Sequence, residues 1–461
     1  MAVSKKTTSK KKTSSSTTSE PQEKTTESKS TSSLGTGREV FIVDGSRTPF
    51  LKAKGKPGPF PAADLAVGCA RPLLSRLSFE PTDIDEVIVG CVMPGPDEAN
   101  IARVIALRLG CGKHVPAWTV QRNCASGLQA LDCAAMQIAM GRSDIVLAGG
   151  VESMSHAPVL LNNSMVGWLG AWMGARSWQQ KLKALTQLRP KFFVPIIGLL
   201  RGLTDPVVGL SMGQTAENIA HRFGINRQQM DEFAVASHQK LAKGQDEGHL
   251  DEIEPIYDSK GHHYAEDDGL RRDSSVEKLA KLKPVFDKPF GNVTAGNSAQ
   301  ITDGAAMLIL ASADAVKKYN LPVMGKIIDT HWAGLEPAQM GLGPVHAVTP
   351  ILQRNSLALK DIDYWEINEA FAAQVLSCLA AWEDKEYCAK ELGLSETLGS
   401  LDQTHLNVDG GGVSIGHPVG ASGARIVLHL LHVLERNKAK RGMASLCIGG
   451  GQGGAMLVER G

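Results

Sequence analysis

The sequence predicts an α/β fold made of two similar halves, with a long segment inserted between them. Three observations lead to this fold class. Short apolar runs alternate with amphipathic helical patterns along the chain, which is typical of a sheet covered by helices on both faces. A set of elements from the first half recurs in the same order in the second half. Between the two sets lies a segment of different composition, residues 153–289.

The first half opens with a buried-strand pattern at residues 39–44, Glu-Val-Phe-Ile-Val-Asp. The approach to Cys124 is apolar and β-prone, and apolar residues at helical spacing follow it. We therefore predict a strand, a turn and a helix around this cysteine. The other elements predicted in this half are helices at 64–77 and 99–109 and strands at 86–90 and 144–150.

Three matches at a nearly constant offset indicate an internal duplication. The matched pairs are 83–89 with 361–367, Ala125-Ser126-Gly127 with Ala421-Ser422-Gly423, and 145–150 with 444–450. The offset of about 280–300 residues is far longer than the period of a solenoid repeat. We therefore expect related elements to meet around a pseudo-twofold axis. The first half is assigned to residues 38–152 with about 290–320, and the second half to residues 321–461.

The inserted segment, residues 153–289, begins with a basic and aromatic part. From Ser153 to Thr204 it contains no acidic residue. One interpretation of this part is a lid packed on the main domain. The other is an amphipathic surface, at about residues 160–203, for a membrane or a partner subunit. The insertion is also a candidate for CoA binding, because a polyanionic ligand benefits from nearby Lys and Arg. The second part predicts helices at 216–223 and 227–244. The basic and aromatic residues of the first part are Arg176, Lys181, Lys183, Arg189, Lys191 and Arg201, with Trp168, Trp172, Trp178, Phe192 and Phe193.

Residues 1–37 form a tail rich in Lys, Ser and Thr. We expect this tail to be disordered, because it has too little apolar surface to offset the entropy of ordering. It lacks the apolar core of a secretory signal peptide. It contains Glu20, Glu23 and Glu27 and no arginine before Arg38, which disfavours a mitochondrial presequence. We expect a cytoplasmic location, with peripheral membrane attachment as an alternative, and a mitochondrial matrix location is less favoured.

Length and composition exclude several classes of protein. A chain of 461 residues predicts two or three domains. Its 43% hydrophobic and 21% charged residues are typical of a soluble globular protein. The net charge of +1 gives no support for nucleic-acid binding. The eight cysteines contain no CxxC pair, so neither a disulfide scaffold nor a structural zinc site is expected, and free thiols fit a reducing compartment.

Cys124, His417 and Cys447 are the candidate catalytic residues. Cys124 precedes a helix, where unpaired N–H groups and the helix dipole favour the thiolate, the nucleophilic form of cysteine. Taken singly, each residue has a structural alternative: a buried thiol for either cysteine and a loop residue for His417. Together they are favoured as one site, because the duplication places them at the ends of equivalent elements, where open α/β sheets bind ligands. A nucleophilic thiol, a histidine and a second thiol indicate acyl-thioester chemistry.

From about residue 39 to its C-terminus, the chain resembles the thiolase family. The resemblance implies a duplicated fold of α-β-α-β-α layers with two similar halves and an inserted loop domain. The runs that carry it are Asn123-Cys124-Ala125-Ser126-Gly127, Gly149-Gly150-Val151-Glu152-Ser153-Met154-Ser155, Ser211-Met212-Gly213-Gln214-Thr215-Ala216-Glu217-Asn218, Val293-Thr294-Ala295-Gly296-Asn297, Asp303-Gly304-Ala305-Ala306, Asn368-Glu369-Ala370-Phe371-Ala372, Gly416-His417-Pro418 and Cys447-Ile448-Gly449-Gly450-Gly451.

The resemblance also implies roles for five residues. Cys124 would attack a 3-ketoacyl-CoA or acetyl-CoA and carry the acyl group, and His417 would take the thiol proton. Cys447 would be the second acid/base. Asn368 would hold a water that forms one oxyanion hole with His417, and the N–H groups of Cys124 and Gly449 would form the other. Coenzyme A would be a substrate, and no metal or redox cofactor would be required.

Two departures from the family pattern concern substrate binding. The run Asn297-Ser298-Ala299-Gln300 stands where members often have Asn-Ala-Ser-Gly, which leaves Ser298 as the candidate contact to CoA. The basic, aromatic stretch resembles the thiolase subunit of fatty-acid oxidation complexes. In that group, however, His-Glu-Ala-Phe is common where this chain has Asn368-Glu369-Ala370-Phe371. The preferred acyl-chain length therefore stays open.

The leading hypothesis is an acetyl-CoA C-acyltransferase that cleaves 3-ketoacyl-CoA with CoA in fatty-acid β-oxidation. The nearest alternative is an acetyl-CoA C-acetyltransferase that condenses acetyl-CoA to acetoacetyl-CoA. A ketoacyl-ACP synthase is disfavoured because no second histidine motif stands at Asn368. A catalytically inactive, lipid-binding relative is disfavoured by the joint presence of Cys124, His417, Cys447 and Asn368. The resemblance further implies a homodimer or tetramer, and a hydratase/dehydrogenase α-subunit is another candidate partner.

Overall fold

The computed structural model describes residues 37–461, and all but the last residue of the predicted disordered tail lies outside this range. The strands are β1 (Val40–Arg47), β2 (Leu51–Lys52), β3 (Glu86–Gly90), β4 (Ala117–Val120), β5 (Ile145–Ser153), β6 (Val159–Leu160), β7 (Ile196–Ile197), β8 (Ile256–Tyr257), β9 (His263–Tyr264), β10 (Thr302–Ser312), β11 (Gly325–Gly334), β12 (Tyr364–Ile367), β13 (Arg441–Ile448) and β14 (Gln452–Arg460). The helices are α1 (Ala62–Ser75), α2 (Ile101–Arg108), α3 (Ser126–Ala139), α4 (Asn163–Gly174), α5 (Trp178–Gln187), α6 (Gly198–Gly202), α7 (Met212–Arg222), α8 (Arg227–Asp246), α9 (Val276–Leu279), α10 (Ala313–Tyr319), α11 (Gly343–Arg354), α12 (Ala372–Glu383), α13 (Lys385–Glu391), α14 (Gly412–Ile415) and α15 (Val419–Arg436).

The strands of the two halves have the same arrangement. In the first half, β3 runs parallel to β5, β5 pairs antiparallel with β10, and β10 pairs antiparallel with β1. In the second half, β12 runs parallel to β13, β13 pairs antiparallel with β14, and β14 pairs antiparallel with β11. The halves are joined where β1 and β11 pair, at Phe41 with Lys326 and Ile42 with Gly325. This correspondence confirms the predicted duplication.

Apolar side chains fill three layers between strands and helices. Helices α1 and α2 pack on the outer face of the first-half strands. Helices α3 and α15 lie between the strands of the two halves. Helices α11 and α12 belong to the core beyond the second-half strands. Burial of each large aliphatic side chain in these layers contributes about 1.5–3 kcal/mol. The order is therefore α-β-α-β-α, as predicted.

The two central helices touch at glycines. A Cβ atom on Gly127 of α3 would lie 2.8 Å from the carbonyl oxygen of Gly420, and one on Gly423 of α15 would lie 2.5 Å from the amide nitrogen of Leu128. On the neighbouring strand β5, a Cβ on Gly150 would lie 2.0 Å from the same Gly420 oxygen. Side chains at these positions would push the helices apart. The glycines thus bring the starts of α3 and α15, one from each half, into direct contact.

A buried charge network also connects the halves. His429 of α15 lies with Nδ1 3.0 Å from Glu252 Oε1 and Nε2 3.2 Å from Asp409 Oδ2. Arg47 of β1 donates to the same Glu252 oxygen at 3.1 Å, and Arg436 donates to Asp409 at 2.6 Å. Alternating cations and anions compensate one another in this network, which buried charges require.

The first part of the insertion is an irregular layer of short elements with few buried side chains. Met165 and Ala184 are the buried residues of α4 and α5. Asn162 caps α4 by accepting the Met165 N–H at 3.0 Å, and Trp168 donates to the Ala184 carbonyl at 2.8 Å. Among residues 37–461, no helix is long and apolar enough to cross a bilayer. The large exposed apolar side chains of this part are Val159, Leu160, Leu161, Val166, Met173, Trp178, Leu182, Leu185, Phe193, Val194, Ile197 and Leu200.

Candidate active site

Cys124 lies in a tight turn between β4 and α3. Asn123 adopts a left-handed conformation with φ of 44°, which asparagine tolerates better than most residues. Ser126 closes the turn, because its hydroxyl accepts from Arg122 N–H at 2.9 Å and donates to the Asn123 carbonyl at 2.7 Å. Asn123 Nδ2 donates across to the Gly449 carbonyl at 2.8 Å. The turn that carries Cys124 is thereby fastened to the C-terminal half.

The environment of Cys124 favours the thiol rather than the thiolate. Burial raises the pKa of Cys124, and this effect outweighs the lowering by the Gly449 N–H and its own N–H. The prediction that the helix terminus makes the thiolate the favoured form is therefore wrong. The N–H groups act in the predicted direction, but loss of water around the sulfur is the larger effect. Cys124 needs a base to become a nucleophile.

His417 is a buried, neutral imidazole held in one tautomer. Its Nδ1 lies 2.6 Å from Ser422 Oγ, and the Ser422 hydroxyl donates to the Pro418 carbonyl at 3.1 Å. The serine oxygen therefore accepts the Nδ1 proton, which leaves Nε2 as the unprotonated nitrogen. Burial and the charge of Arg425 lower the pKa of His417 to about 4. Its Nε2 can thus accept a proton throughout the neutral range.

Asn368 lies in the turn after β12 and faces this nitrogen. Its Nδ2 is 3.5 Å from His417 Nε2, and its backbone N–H donates to the Ser445 carbonyl at 2.9 Å. Its side chain is fully buried, and its Oδ1 has no hydrogen-bond partner among the described residues. A buried polar atom without a partner is uncommon and is a feature of functional sites. Asn368 and His417 thus present two adjacent polar groups to one place.

Cys447 is the last residue but one of β13 and is buried. Burial, followed by the proximity of Cys124 and Cys378, raises its pKa well above the ordinary value. Two residues later, Gly449 points its N–H at Cys124. A Cβ on Gly449 would lie 3.2 Å from Met212 Sδ, and Gly450 and Gly451 adopt φ of 90° and 75°. The glycine run therefore lets the backbone turn sharply beside the cysteine.

Cys124 opens into an apolar cavity of about 250 Å³. The insertion forms one wall of this cavity with Leu199 and Leu203 at α6, and the loop after β3 forms another with Val92 and Met93. Such a cavity suits the hydrocarbon part of a ligand, with polar groups restricted to one end. Its full lining is Val92, Met93, Gln121, Asn123, Cys124, Met154, Pro158, Gly198, Leu199, Gly202, Leu203, Met212, Val419 and Gly449.

Ser298, the candidate CoA contact, does not line this cavity. It is buried, and its hydroxyl donates to the Thr294 carbonyl at 2.6 Å. Ser422 is a site residue that sequence reasoning missed. It belongs to the repeated Ala421-Ser422-Gly423 motif, but only the helical turn after Pro418 brings its hydroxyl to His417. No group of three or more metal-ligating side chains occurs within residues 37–461.

Family models match nearly the whole described chain. The model of the thiolase N-terminal domain matches residues 40–314, and that of the thiolase C-terminal domain matches residues 321–460. A probable acetyl-CoA acyltransferase of Staphylococcus aureus (strain COL) is 38% identical over 426 residues, which cover 91% of this chain and 99% of the relative. Human mitochondrial 3-ketoacyl-CoA thiolase is 38% identical over 427 residues, which cover 92% and 98%.

Solved structures of thiolases and acetyl-CoA acetyltransferases are also similar to this chain. The crystal structure of Bacillus anthracis acetyl-CoA acetyltransferase is similar with a TM-score of 0.79 and 36% identity, over 92% of this chain and 99% of the other. Human mitochondrial 3-ketoacyl-CoA thiolase in complex with CoA is similar with a TM-score of 0.79 and 36% identity, over 94% and 99%. The chain therefore belongs to the thiolase family and is an acyltransferase of the thiolase type.

Proposed function

We propose that the protein cleaves 3-ketoacyl-CoA with coenzyme A, giving acetyl-CoA and an acyl-CoA shortened by two carbons, as in fatty-acid β-oxidation. The observation that carries the proposal is the meeting of two thiols, the half-buried Cys124 and the buried Cys447, beside the Gly449 N–H at the end of an apolar cavity. One thiol can carry the acyl group while the other handles the proton of the leaving carbon. A single-cysteine hydrolase would not need the second thiol.

The first half-reaction makes the acyl-enzyme. His417 Nε2 takes the Cys124 proton, and the sulfur attacks the 3-keto carbon of the substrate. The bond between C2 and C3 then breaks, and its electron pair forms the enolate of acetyl-CoA. The two N–H groups of Cys124 and Gly449 stabilise charge on the oxygen of the bound acyl group, and Asn368 with His417 stabilises the enolate oxygen, with a water held by Asn368. The Cys447 thiol supplies the proton that completes acetyl-CoA.

The second half-reaction releases the shortened acyl group. The thiol of a second CoA gives its proton to the Cys447 thiolate and attacks the thioester on Cys124. The Cys124 sulfur leaves and recovers a proton from His417. The first half-reaction leaves His417 protonated and Cys447 as a thiolate, and the second returns both groups to their starting state, with coenzyme A entering as a substrate. The buried, neutral His417 is suited to this exchange because its low pKa makes it release the proton readily.

The alternative is condensation of two acetyl-CoA molecules to acetoacetyl-CoA by the same residues in reverse. The modest cavity of about 250 Å³ favours this alternative, because an acetyl group fits without displacement of α6. A thiolysis assay with 3-ketoacyl-CoA of increasing chain length, run beside an acetyl-CoA condensation assay, distinguishes the two. Higher kcat/KM for thiolysis beyond four acyl carbons supports the degradative role. Activity confined to acetyl-CoA and acetoacetyl-CoA would replace it with the condensing role.

We further propose that the protein is a cytoplasmic homodimer or tetramer that associates with anionic membranes. The edge strand β4 pairs on one side with β3, and all four of its residues are half-buried, which suits strand pairing between subunits.

The exposed apolar face of α4 and α5 lies in a stretch with six Lys or Arg residues and no acidic residue, which suits an anionic lipid surface. Light scattering measures the oligomeric state, and vesicle sedimentation measures membrane association.

The same face is also the place for a hydratase/dehydrogenase α-subunit. Binding of such a subunit without any affinity for vesicles would assign the face to a protein partner instead. Competition between vesicles and the subunit would show that both use it.

A further inference from the structure

Glu152, on β5, is a buried carboxylate beside the proposed site without a cationic partner. Its side chain is fully buried. Within residues 37–461, it forms no ion pair with a Lys, Arg or His side chain. An unpaired buried carboxylate is costly unless hydrogen bonds replace its hydration. The groups that donate hydrogen bonds to Glu152 therefore indicate its role.

Those partners are backbone N–H groups from two elements, together with the Cys91 thiol, which donates to Oε1 at 3.7 Å. Val92 N–H donates to Oε2 at 2.9 Å and Met93 N–H donates to Oε1 at 3.0 Å, both from the loop after β3. The N–H of Gly420, in the first turn of α15, also donates to the carboxylate. A Cβ on Gly420 would lie 2.8 Å from Oε2, so this close approach requires glycine. One carboxylate therefore holds both segments.

Both segments belong to the proposed site. Val92 and Met93 form a wall of the cavity that ends at Cys124. Gly420 follows Val419, another lining residue, and lies three residues after His417. Displacement of the carboxylate would therefore move the acyl wall and the start of α15 together. Both reacting sides of the site, the acyl cavity and the base, depend on the same side chain.

We propose that Glu152 is a positioning residue for acyl transfer: its carboxylate clamps the Val92–Met93 wall to the first turn of α15 and so aligns the acyl cavity with His417. The inference rests on the proposed function, since acyl transfer at Cys124 is the step that requires this alignment. Glu152 touches no reacting atom and acts through the backbone groups that it holds.

The clamp is sensitive to pH. Burial raises the pKa of Glu152 to about 7, against the lowering by the Val92 and Met93 N–H groups. The titratable groups that face it are Cys91, with Sγ 3.7 Å from Oε1, and Cys124, whose pKa the Glu152 charge raises. From the other elements, α15 presents the Gly420 N–H and β10 pairs Gly304 opposite Glu152. Protonation below about pH 7 removes acceptor capacity that the N–H groups use, so acyl transfer weakens as the pH falls.

The decisive variant is Glu152→Gln, which keeps the shape but removes the charge and turns an NH₂ group toward N–H donors. We expect kcat of thiolysis to fall by on the order of 10²-fold, with a smaller change in KM, because misalignment of about 1 Å has such an effect. The activity loss of the wild type below about pH 7 should disappear from the residual activity. Alkylation of Cys124 by iodoacetamide should shift to lower pH, because the charge that raises its pKa is gone.

Two further variants keep the test decisive. Glu152→Asp retains the charge, so it should retain both the loss of activity below about pH 7 and the pH dependence of Cys124 alkylation, with a lower kcat. It also replaces Glu152→Gln if the latter does not fold. Asp303→Asn is the matched control: this buried carboxylate accepts the Ser155 N–H at 2.8 Å outside the cavity, and its pKa is also raised by burial. It should lower thermal stability without changing either pH profile.

The outcomes separate this inference from the proposed function. Suppose that the wild type is active and that Glu152→Gln has the same kcat, the same loss of activity below about pH 7 and the same alkylation profile. That result would overturn the role of Glu152 and leave the thiolase reaction intact. A wild type that cleaves no 3-ketoacyl-CoA would overturn the proposed function. In that case a Cys124 alkylation profile that does not shift in Glu152→Gln overturns the clamp as well, and a shifted profile supports it.

Discussion

The proposed nucleophile, Cys124, and its proposed base, His417, are both held in their neutral forms. Burial raises the pKa of Cys124 and lowers that of His417, so an ion pair between them is not the resting state. In the proposed mechanism the thiolate therefore forms only when His417 takes the proton during attack on the bound substrate. This arrangement protects the buried thiol from unproductive reactions, because the neutral thiol is a weak nucleophile.

Replacement of Cys124 with alanine should abolish acyl transfer and leave the fold intact. The half-buried side chain loses one sulfur atom in a turn that is held by Asn123 and Ser126 rather than by the thiol. The free energy of unfolding should therefore change by about 1 kcal/mol or less. Thiolysis assays and circular dichroism check both points. Residual thiolysis near the wild-type rate would rule out the covalent route through Cys124.

Replacement of Ser422 with alanine should lower kcat by about tenfold, the equivalent of one neutral hydrogen bond. The Nδ1 proton of His417 loses its acceptor, so the tautomer with Nε2 unprotonated is no longer favoured. Thiolysis kinetics measure the effect. The matched control is Ser75→Ala, which removes a hydroxyl that donates to a helix carbonyl at the surface. Equal kcat in both variants would contradict the assignment of the tautomer.

Replacement of Cys447 with serine should trap the reaction at the acyl-enzyme. Serine is a far weaker acid than the thiol, so proton transfer to and from the acetyl carbon slows, while Cys124 can still be acylated by an acyl-CoA. Mass spectrometry should find the acyl group on Cys124, and steady-state turnover should fall by about 10²–10⁴-fold. Turnover at the wild-type rate would remove Cys447 from the mechanism.

Residue identities could be predicted from the sequence, but their protonation could not. The motifs around Cys124, His417, Cys447 and Asn368 identify residues that the structure brings into two close pairs, Cys124 with Cys447 and Asn368 with His417. The prediction of a thiolate at Cys124 failed because the helix dipole can be inferred from a local pattern, whereas burial depends on both halves. Ser422 was missed for the same reason, since its partner lies one helical turn away only after α15 forms.

At the scale of elements, the first part of the insertion has two faces with different surroundings. Helix α6 contributes Leu199, and the residue that follows it, Leu203, also lines the cavity that ends at Cys124. Helices α4 and α5 expose Trp178 and Met173, with 72% and 77% of their surfaces accessible. The alternatives of a lid and a docking surface, which the sequence left open, therefore describe different elements of one segment.

Substitution of Trp178, Leu182 and Leu185 with serine should weaken binding to anionic vesicles. These residues follow a helical spacing on α5, and all three are exposed, so their loss should not disturb the core. Removal of this apolar area should lower vesicle affinity by on the order of 10²-fold, without changing kcat for a short 3-ketoacyl-CoA. Sedimentation with vesicles measures binding. The control is Leu107→Ser on α2, an exposed leucine outside the insertion; equal loss in both would contradict a specific face.

Element bounds could be predicted where the pattern is strong. The strand predicted at 86–90 has the same bounds as β3, and the helix predicted at 64–77 is α1, displaced by two residues. The helix predicted at Cys124 begins at Ser126, because the left-handed Asn123 delays its first turn. Apolar periodicity identifies the body of an element, whereas its ends depend on single hydrogen bonds. No helix is predicted from the sequence in the basic stretch; the apolar residues of α5 do recur at helical spacing, but they are exposed rather than packed on a core.

At the scale of the whole molecule, the buried charge network is a pH-dependent part of the stability. Although burial opposes its charge, His429 has a pKa raised to about 10 by Glu252 and Asp409. A raised pKa means that the folded state binds the proton more tightly than the unfolded state. The resulting stabilisation is fully present below the ordinary histidine pKa of 6.5 and declines as the pH rises toward about 10.

The variant His429→Gln should therefore be less stable than the wild type at pH 7, and the difference should shrink as the pH rises. At pH 7 we expect a loss of about 3–5 kcal/mol, which is typical when one partner of a buried charge pair is removed. Chemical denaturation at several pH values between neutrality and about pH 10 measures the difference. A constant difference across this range would show that His429 contributes by packing alone.

The contact between α3 and α15 at Gly127 and Gly423 has a consequence for the history of the chain. The proposed acyl carrier, Cys124, belongs to one copy, and the proposed base, His417, belongs to the other. Neither copy retains the other's part. The duplication has turned two equivalent units into complementary ones, so that selection on one half constrains the other, and the two inherit their reaction only as a pair.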